Sequence, residues 1–384
     1  MRGDTVNAEE LFPGAVLPGR FGLQSVLWGA CAAACLTDEE QAKQAQNAFS
    51  FPAVKRVCVV LADGLGSLQL QSRSGHVPNL RHLDPGAQTT SVVPATTAAA
   101  ITAFGTGALP GQTAMAGYSL RSPRTGAVFS LINWENSGYV AGQWQRHPTV
   151  FEQLPNAKET FAAVQPKKFI GSGLSLAALR GAACFPAQTL PERFDCAAHL
   201  LRCGKKAVYV YWGDLDSAGH RYGWKSEQWI SALEYFDAEF GRFLRCVPPG
   251  TLVILTADHG MTDAGEKTDI AANADLTANV DCVAGEERAF QIYTGTPQAV
   301  ARRWRERFAQ DAWIVEKEEL LQSGIMGSVT DFARSVIGDV LVFSKNTMGF
   351  VDSRVHSASA IAMIGVHGSM TPDEMLIPLI RVVC

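Results

Sequence analysis

The chain has 384 residues, of which 47% are hydrophobic and 18% charged, and its net charge is −4. That balance belongs to a globular protein with a substantial core, long enough for one large α/β domain or two ordinary ones. The small negative charge, without a Lys/Arg stripe, excludes a nucleic-acid polymer as the expected partner, but a small anionic substrate stays open because metal ions can supply positive charge locally.

Residues 1–50 begin irregularly, rich in Gly and Pro. They continue into FGLQSVLWGACAAACL (21–36) and a polar segment, DEEQAKQAQNA. The apolar stretch is too short to cross a bilayer comfortably and contains Gln24, so it is expected as a buried helix. The first residues, MRGDTVNAEE, lack the basic start of a secretion signal. The expected location is therefore cytoplasmic, with no membrane association. Nine scattered cysteines without a CxxC pair argue against a disulfide framework or a zinc knuckle. Most are expected as small buried hydrophobes. Cys31 and Cys35, one helical turn apart, would need a second pair nearby to hold a soft metal.

Four apolar runs follow at wide spacing: VCVVLA (57–62), AVYVYW (207–212), TLVILTA (251–257) and IAMIGV (361–366). Their β-branched content predicts strands buried on both faces, as in a largely parallel central sheet flanked by helices on both faces. Between them, SEQWISALEYFDAEFGRFL (226–244) spaces Trp229, Leu233, Phe236, Phe240 and Phe243 along one helical face. A further helix is expected after Pro148, with Phe151 and Leu154 one turn apart. Residues 265–350 differ, with mixed charge, a helix at PQAVARRWRERFA and short strands around AFQIYT and VLVFSK. The predicted organisation is a loop and helix at 1–56 packing on the core, a core of 57–264 and 351–384, and an inserted cap subdomain at 265–350.

Each apolar run leads into Asp or His. The first meets Asp63, the second Asp214-Leu215-Asp216 with His220 beyond, the third Asp258-His259, and the fourth His367. Ligands of parallel α/β sheets bind beyond the carboxyl ends of the strands, so these side chains would converge. Any one of them alone reads as a turn or loop residue, since Asp-Gly after an apolar run is usually a turn. Three Asp and three His together mix carboxylate oxygen with imidazole nitrogen, which suits zinc better than calcium or magnesium. The segment SVVPATTAAAITAFGTGALPG (91–111) adds a hydroxyl, Thr96 or Thr97, at the start of a small-residue helix. There backbone N–H groups favour an anion, although such a threonine also serves as a plain helix cap.

VVLADGLG (59–66), VPATTAAAITAFGTGALPG (93–111), DLDSAGHRYG (214–223), TADHGMTD (256–263) and VHGSMT (366–371) occur in the order seen in one family. Together they resemble the nucleotide pyrophosphatase/phosphodiesterase branch of the alkaline phosphatase superfamily, from about residue 57 to the end. The resemblance implies an alkaline-phosphatase-like α/β fold and two divalent metal ions, zinc with manganese as the alternative. It implies Asp216, His220 and His367 as ligands of one ion and Asp63, Asp258 and His259 as ligands of the other. It implies Thr97 as the nucleophile of a phosphoric ester or pyrophosphate hydrolase working through a phosphothreonine, with Thr96 second to it and Asp214 as an outer alternative to Asp216. A small phosphate ester, nucleotides among the candidates, is the implied partner. The chain departs from the family pattern at Ala100, where better-known diesterases carry an Asn that holds a phosphoryl oxygen, and at Thr113, where they carry a His. The first departure leaves diester against monoester preference open. A phosphomonoesterase or phosphonate hydrolase with the same metals is the alternative, and a metal-binding protein without catalysis is the rival of another class. The signature of a sulfatase nucleophile is absent, and no added His/Lys constellation supports a mutase.

Overall fold

The computed structural model describes residues 6–83 and 87–384. Its main sheet has seven strands in the order Gln88–Thr90, Leu376–Val383, Thr251–Thr256, Arg56–Ala62, Ala207–Trp212, Phe161–Gln165 and Ala183–Pro186. The five from Thr251–Thr256 to Ala183–Pro186 run parallel, and Leu376–Val383 pairs antiparallel with both Thr251–Thr256 and the edge strand Gln88–Thr90. Three predicted runs lie side by side at the centre, with Cys58 opposite both Val208 and Val253. Their side chains are buried on both faces, which is why they read as continuous apolar runs.

Helices cover both faces. Leu23–Ala33 is buried along its whole length, as its sequence predicts. Gly29 lets the neighbouring helix Glu40–Ala48 approach, since a Cβ there would come within 3.2 Å of the Ala45 and Gln46 backbone. Glu227–Cys246 starts on Ser226, whose hydroxyl accepts from the Trp229 N–H, and it buries Trp229, Leu233, Phe236, Phe240 and Phe243 completely. Leu190–Arg202 opens with a Thr189/Glu192 capping box and stacks Phe194 on Phe243 at 4.5 Å.

The fourth apolar run is not a strand of the main sheet. Ile361 ends a short helix, Met363 and Ile364 are exposed, and only Gly365–Val366 pairs, antiparallel, with Thr262–Asp263. Six apolar residues without caps cannot be assigned by periodicity, and here Lys267 decides by binding the Ile361 and Met363 carbonyls. The sheet is completed instead by Phe161–Gln165, Ala183–Pro186 and Leu376–Val383. The cysteine expectation also changes: all nine are unpaired, but only Cys31 and Cys58 are fully buried. Cys35, beside its helical neighbour Cys31, is exposed, and neither belongs to a metal-ligand cluster among the described residues.

A second, antiparallel sheet has the order Cys282–Glu286, Ala289–Tyr293, Val340–Ser344 and Ala312–Glu316. The helix Pro297–Phe308 buries Val300, Ala301, Trp304 and Phe308 against it. The segment near the start of the chain reaches this sheet as well as the core: Phe12 meets Phe343 edge-on, and the Trp313 indole donates to the Pro13 carbonyl at 3.2 Å. A fully buried pair, Arg288 and Glu374, ties the turn after the small sheet's first strand to the segment before Leu376–Val383 through bonds of 2.8 and 2.7 Å. No helix among the described residues is long and apolar enough to cross a membrane.

Candidate active site

The carboxyl ends of the three central strands meet at one edge. Asp63 follows Arg56–Ala62, and its backbone then turns through Gly64 at φ +74°. A Cβ on Gly64 would press within 3.0–3.1 Å of Asp216, so glycine alone permits both the turn and the approach. The Gly64 N–H donates to Asp258 Oδ1 at 3.1 Å, and the His259 N–H donates to the same oxygen at 3.0 Å. Asp216 and His220 lie one turn apart on the helix Asp214–Tyr222 and pair at 3.2 Å. Asp214, on the same helix, is exposed.

His259 links the remaining groups. Its Nε2 lies 3.5 Å from Asp63 Oδ1 and 3.5 Å from Asp258 Oδ2, and its ring stacks on His367 with centroids 3.6 Å apart. His367 Nε2 is 4.0 Å from Asp216 Oδ1. The six predicted ligand residues thus form one contiguous cluster. Two tighter groups stand out within it, Asp63 with Asp258 and His259, and Asp216 with His259 and His367. His220 stands outside both groups, on the other oxygen of Asp216.

All three histidines turn the same nitrogen inward. Nδ1 of His220 is bonded to the Gly365 carbonyl at 2.7 Å, that of His259 to Gly260 at 2.9 Å, and that of His367 to Ala95 at 3.0 Å. A carbonyl only accepts, so each Nδ1 carries a proton and each Nε2 faces the cluster, where that of His220 is taken up by Asp216.

The electrostatics fit a divalent cation. Asp63 and Asp258 are buried, yet Asp63 Oδ1, Asp216 Oδ1 and Asp258 Oδ2 have no hydrogen-bond partner. Burial pushes the Asp63 carboxyl well above its ordinary range, with the Asp258 and Asp216 charges adding to it. Burial also raises Asp258, against the pull of His259. Burial would raise Asp216 too, but the neighbouring His220 outweighs it and holds the carboxyl well below its usual range. Buried carboxylates of one sign are unfavourable unless a cation compensates them. The orphaned oxygens and the inward Nε2 atoms are what such an ion would take up.

Thr97 is the first residue of the helix Thr97–Thr106, and its Oγ1 lies 3.1 Å from His259 Nε2. Thr96, the cap residue, is fully buried, and its side chain makes no cap hydrogen bond. Ala100 is wholly buried among core residues. In front of Thr97 opens a cavity of about 390 Å³ whose wall includes Asp63, Asp216, His220 and His367. Among the polar residues of this wall that the sequence reading missed are Tyr211, Glu286 and His356. Tyr211 donates its hydroxyl to Asp63 Oδ2 at 2.5 Å, and the alternation of its strand was the available signal. Glu286 and His356 come from the small sheet and a loop, and nothing in their local sequence marks them.

A largely parallel sheet with Asp and His gathered at its carboxyl edge defines the class: a hydrolase of phosphoric ester or pyrophosphate bonds, with a mixed α/β fold and side-chain groups that could hold a metal ion. The chain belongs to the type I phosphodiesterase / nucleotide pyrophosphatase family, whose sequence profile matches residues 57–369. In structure it resembles the murine ectonucleotide pyrophosphatase/phosphodiesterase 5, with a TM-score of 0.65 at 16% identity over 85% of this chain and 87% of that one. The human protein of the same name gives a TM-score of 0.65 at 15% identity over the same shares, 85% and 87%. Phosphonoacetate hydrolase of Sinorhizobium meliloti, in complex with phosphonoacetate, gives 0.67 at 17% identity over 86% and 90%. At these identities the likeness speaks to the fold. No curated protein matches the chain in sequence.

Proposed function

We propose that the chain is a two-metal phosphodiesterase or nucleotide pyrophosphatase that uses Thr97 as its nucleophile. The observation that carries this reading is the 3.1 Å contact between Thr97 Oγ1 and His259 Nε2 inside the Asp/His cluster. The lone pair that meets the hydroxyl is the one His259 would share with a cation, so nucleophile and ion address one point. Asp63, Asp258 and His259 would hold one ion, and Asp216, His220 and His367 the other. The pairing of His220 with Asp216 leaves His220 the last of these to be recruited. Mixed oxygen and nitrogen donors favour zinc, with manganese as the alternative. Bound there, divalent cations neutralise the carboxylates and the charge that develops on the phosphoryl oxygens.

The protein's own groups do the rest. The first turn of the helix, without a side-chain cap, leaves backbone N–H groups facing the phosphoryl position. Thr97 Oγ attacks phosphorus, and the bond to the leaving arm breaks. Water then cleaves the phosphothreonine and restores the hydroxyl. Tyr211 fixes the orientation of Asp63, and residues 265–350 act as a cap that closes the cavity. The substrate is a small phosphate ester, nucleotides included, and nine unpaired cysteines support a cytoplasmic location. Metal analysis followed by turnover of bis-p-nitrophenyl phosphate and p-nitrophenyl phosphate tests the proposal. Faster diester cleavage is expected. Metal-loaded protein that cleaves neither would overturn it, and monoester preference would favour the monoesterase reading of the same site.

A further inference from the structure

One histidine outside the ligand-type set shares the cavity with Thr97. His356 lies on the loop after the strand Gly349–Val351 and lines the same cavity as His367. The Asp352 N–H donates to its Nδ1 at 3.1 Å, and the His356 N–H returns to the Asp352 carbonyl at 2.8 Å. A ring nitrogen that accepts carries no proton, so the neutral imidazole holds its hydrogen on Nε2. Burial pushes this imidazole below its ordinary value, against the weaker pull of Asp352 and Asp269. The Asp352 carboxylate is engaged by the Arg354 guanidinium at 2.6 and 2.8 Å. Among the described residues the ring makes its one hydrogen bond through Nδ1 and meets Phe290 edge-on at 6.2 Å, so Nε2–H has no hydrogen-bond partner in a residue that lines the cavity.

The loop is held in place. Lys267 Nζ binds the Ile361 and Met363 carbonyls at 2.9 and 2.6 Å and the Glu287 carboxylate at 2.9 Å. The Ser353 N–H donates to Asp269 Oδ1 at 3.1 Å. Around His356 the wall is largely apolar, with Val351, Ala360 and Met363, and it also carries the carboxylates of Glu286 and Glu287. A neutral donor in such a wall suits a neutral acceptor, whereas a second anionic group would face two carboxylates.

We infer that His356 is a specificity-determining residue whose Nε2–H donates to an uncharged oxygen, carbonyl or hydroxyl, on the organic arm of the phosphate ester bound at Thr97. The inference rests on the hydrolase reading above and narrows its substrate to esters whose arm carries such an acceptor.

Two esters with the same leaving group separate the effects: p-nitrophenyl thymidine 5′-phosphate, whose arm carries carbonyl and hydroxyl oxygens, and p-nitrophenyl phenylphosphonate, whose arm carries none. For His356→Phe, kcat/KM should fall about three- to tenfold further on the thymidine ester than on the phenylphosphonate, the range set by one neutral hydrogen bond. The excess should appear in KM. His356→Gln, whose amide N–H can take the place of Nε2–H, should recover most of it. Equal losses on the two esters, or an excess that Gln does not recover, would overturn the assignment. Binding of thymidine 5′-monophosphate to the Thr97→Ala protein, read by calorimetry, needs no turnover and should weaken by the same factor when His356→Phe is added. Unchanged binding there sinks the role of His356 even where turnover vindicates Thr97, and weakened binding in a protein without turnover sinks the nucleophile alone.

Discussion

The imidazoles of His259 and His367 lie face to face, with centroids 3.6 Å apart and planes 16° from parallel. Two charged rings would repel at that distance. Burial pushes His367 well below its ordinary value, and the neighbouring His259 and His220 charges push it further. His367 therefore stays neutral with its Nε2 lone pair available, as a metal ligand requires.

The first prediction concerns the hydroxyl. Thr97→Ala should lower turnover of bis-p-nitrophenyl phosphate by at least roughly 10³-fold, the scale on which a lost nucleophile acts. Metal content by elemental analysis should be unchanged, because no carboxylate or imidazole is removed. A variant that keeps both metals and normal turnover contradicts the scheme.

Cation removal should destabilise the protein. Asp63 and Asp258 are buried and each carries an unpartnered oxygen, so a chelator removes the cation that would compensate them. Ions present at 100 times their dissociation constant contribute about 2.7 kcal/mol. Dialysis against a chelator should lower Tm and abolish turnover, and zinc or manganese should restore both. A Tm indifferent to chelation would remove the main physical reason for placing ions here.

The His220–Asp216 pair sets a pH dependence. Burial lowers His220, but Asp216 outweighs it and raises the imidazole to about 9. The folded value is thus above the unfolded one, so the metal-free protein gains this stability fully below the unfolded value, about 6.5, and loses it as pH rises through about 9. Recruiting His220 to a cation releases that proton. Apparent metal affinity should therefore climb by about tenfold per pH unit from pH ~7 until the proton is gone. A flat profile, measured by competition with a chelator, would mean that His220 stays on Asp216.

Tyr211→Phe deletes the donor that orients Asp63 and leaves the ring in place. Outer-shell partners of metal ligands are worth roughly 10–100-fold in affinity, and that is the loss expected here. The melting temperature of the metal-free protein should change little. Full retention of metal affinity would show that Asp63 does not need this bond.

Glu374→Gln tests the tie behind His367. Glu374 is fully buried, receives Arg288 in two bonds, and accepts the Ser369 N–H at 2.9 Å. Breaking a buried pair by neutralising one partner typically costs about 3–5 kcal/mol. Denaturant unfolding should show a loss of that order, and a change within error would assign the pair no structural role.

Much was written locally in the chain. The runs 57–62, 207–212 and 251–257 are continuous and β-branched because central parallel strands are buried on both faces, and the first and third are followed at once by Asp63 and Asp258 while Asp216 comes four residues after the second, so strand and ligand were legible together. The helix Glu227–Cys246 announced itself through the spacing of Trp229, Phe236 and Phe243, because one face must meet the core. Tertiary structure decided the rest. His367 follows a two-residue strand that exists only because Thr262–Asp263 pairs with it. The run 361–366 has strand composition, yet Lys267 holds its carbonyls and keeps it out of the main sheet. Glu286, Tyr211 and His356 reach the cavity from separate elements, by strand register or by the path of a loop. Burial and chain periodicity act between near neighbours and leave their mark in sequence. The meeting of distant side chains depends on how whole elements dock, and no short stretch of residues encodes that.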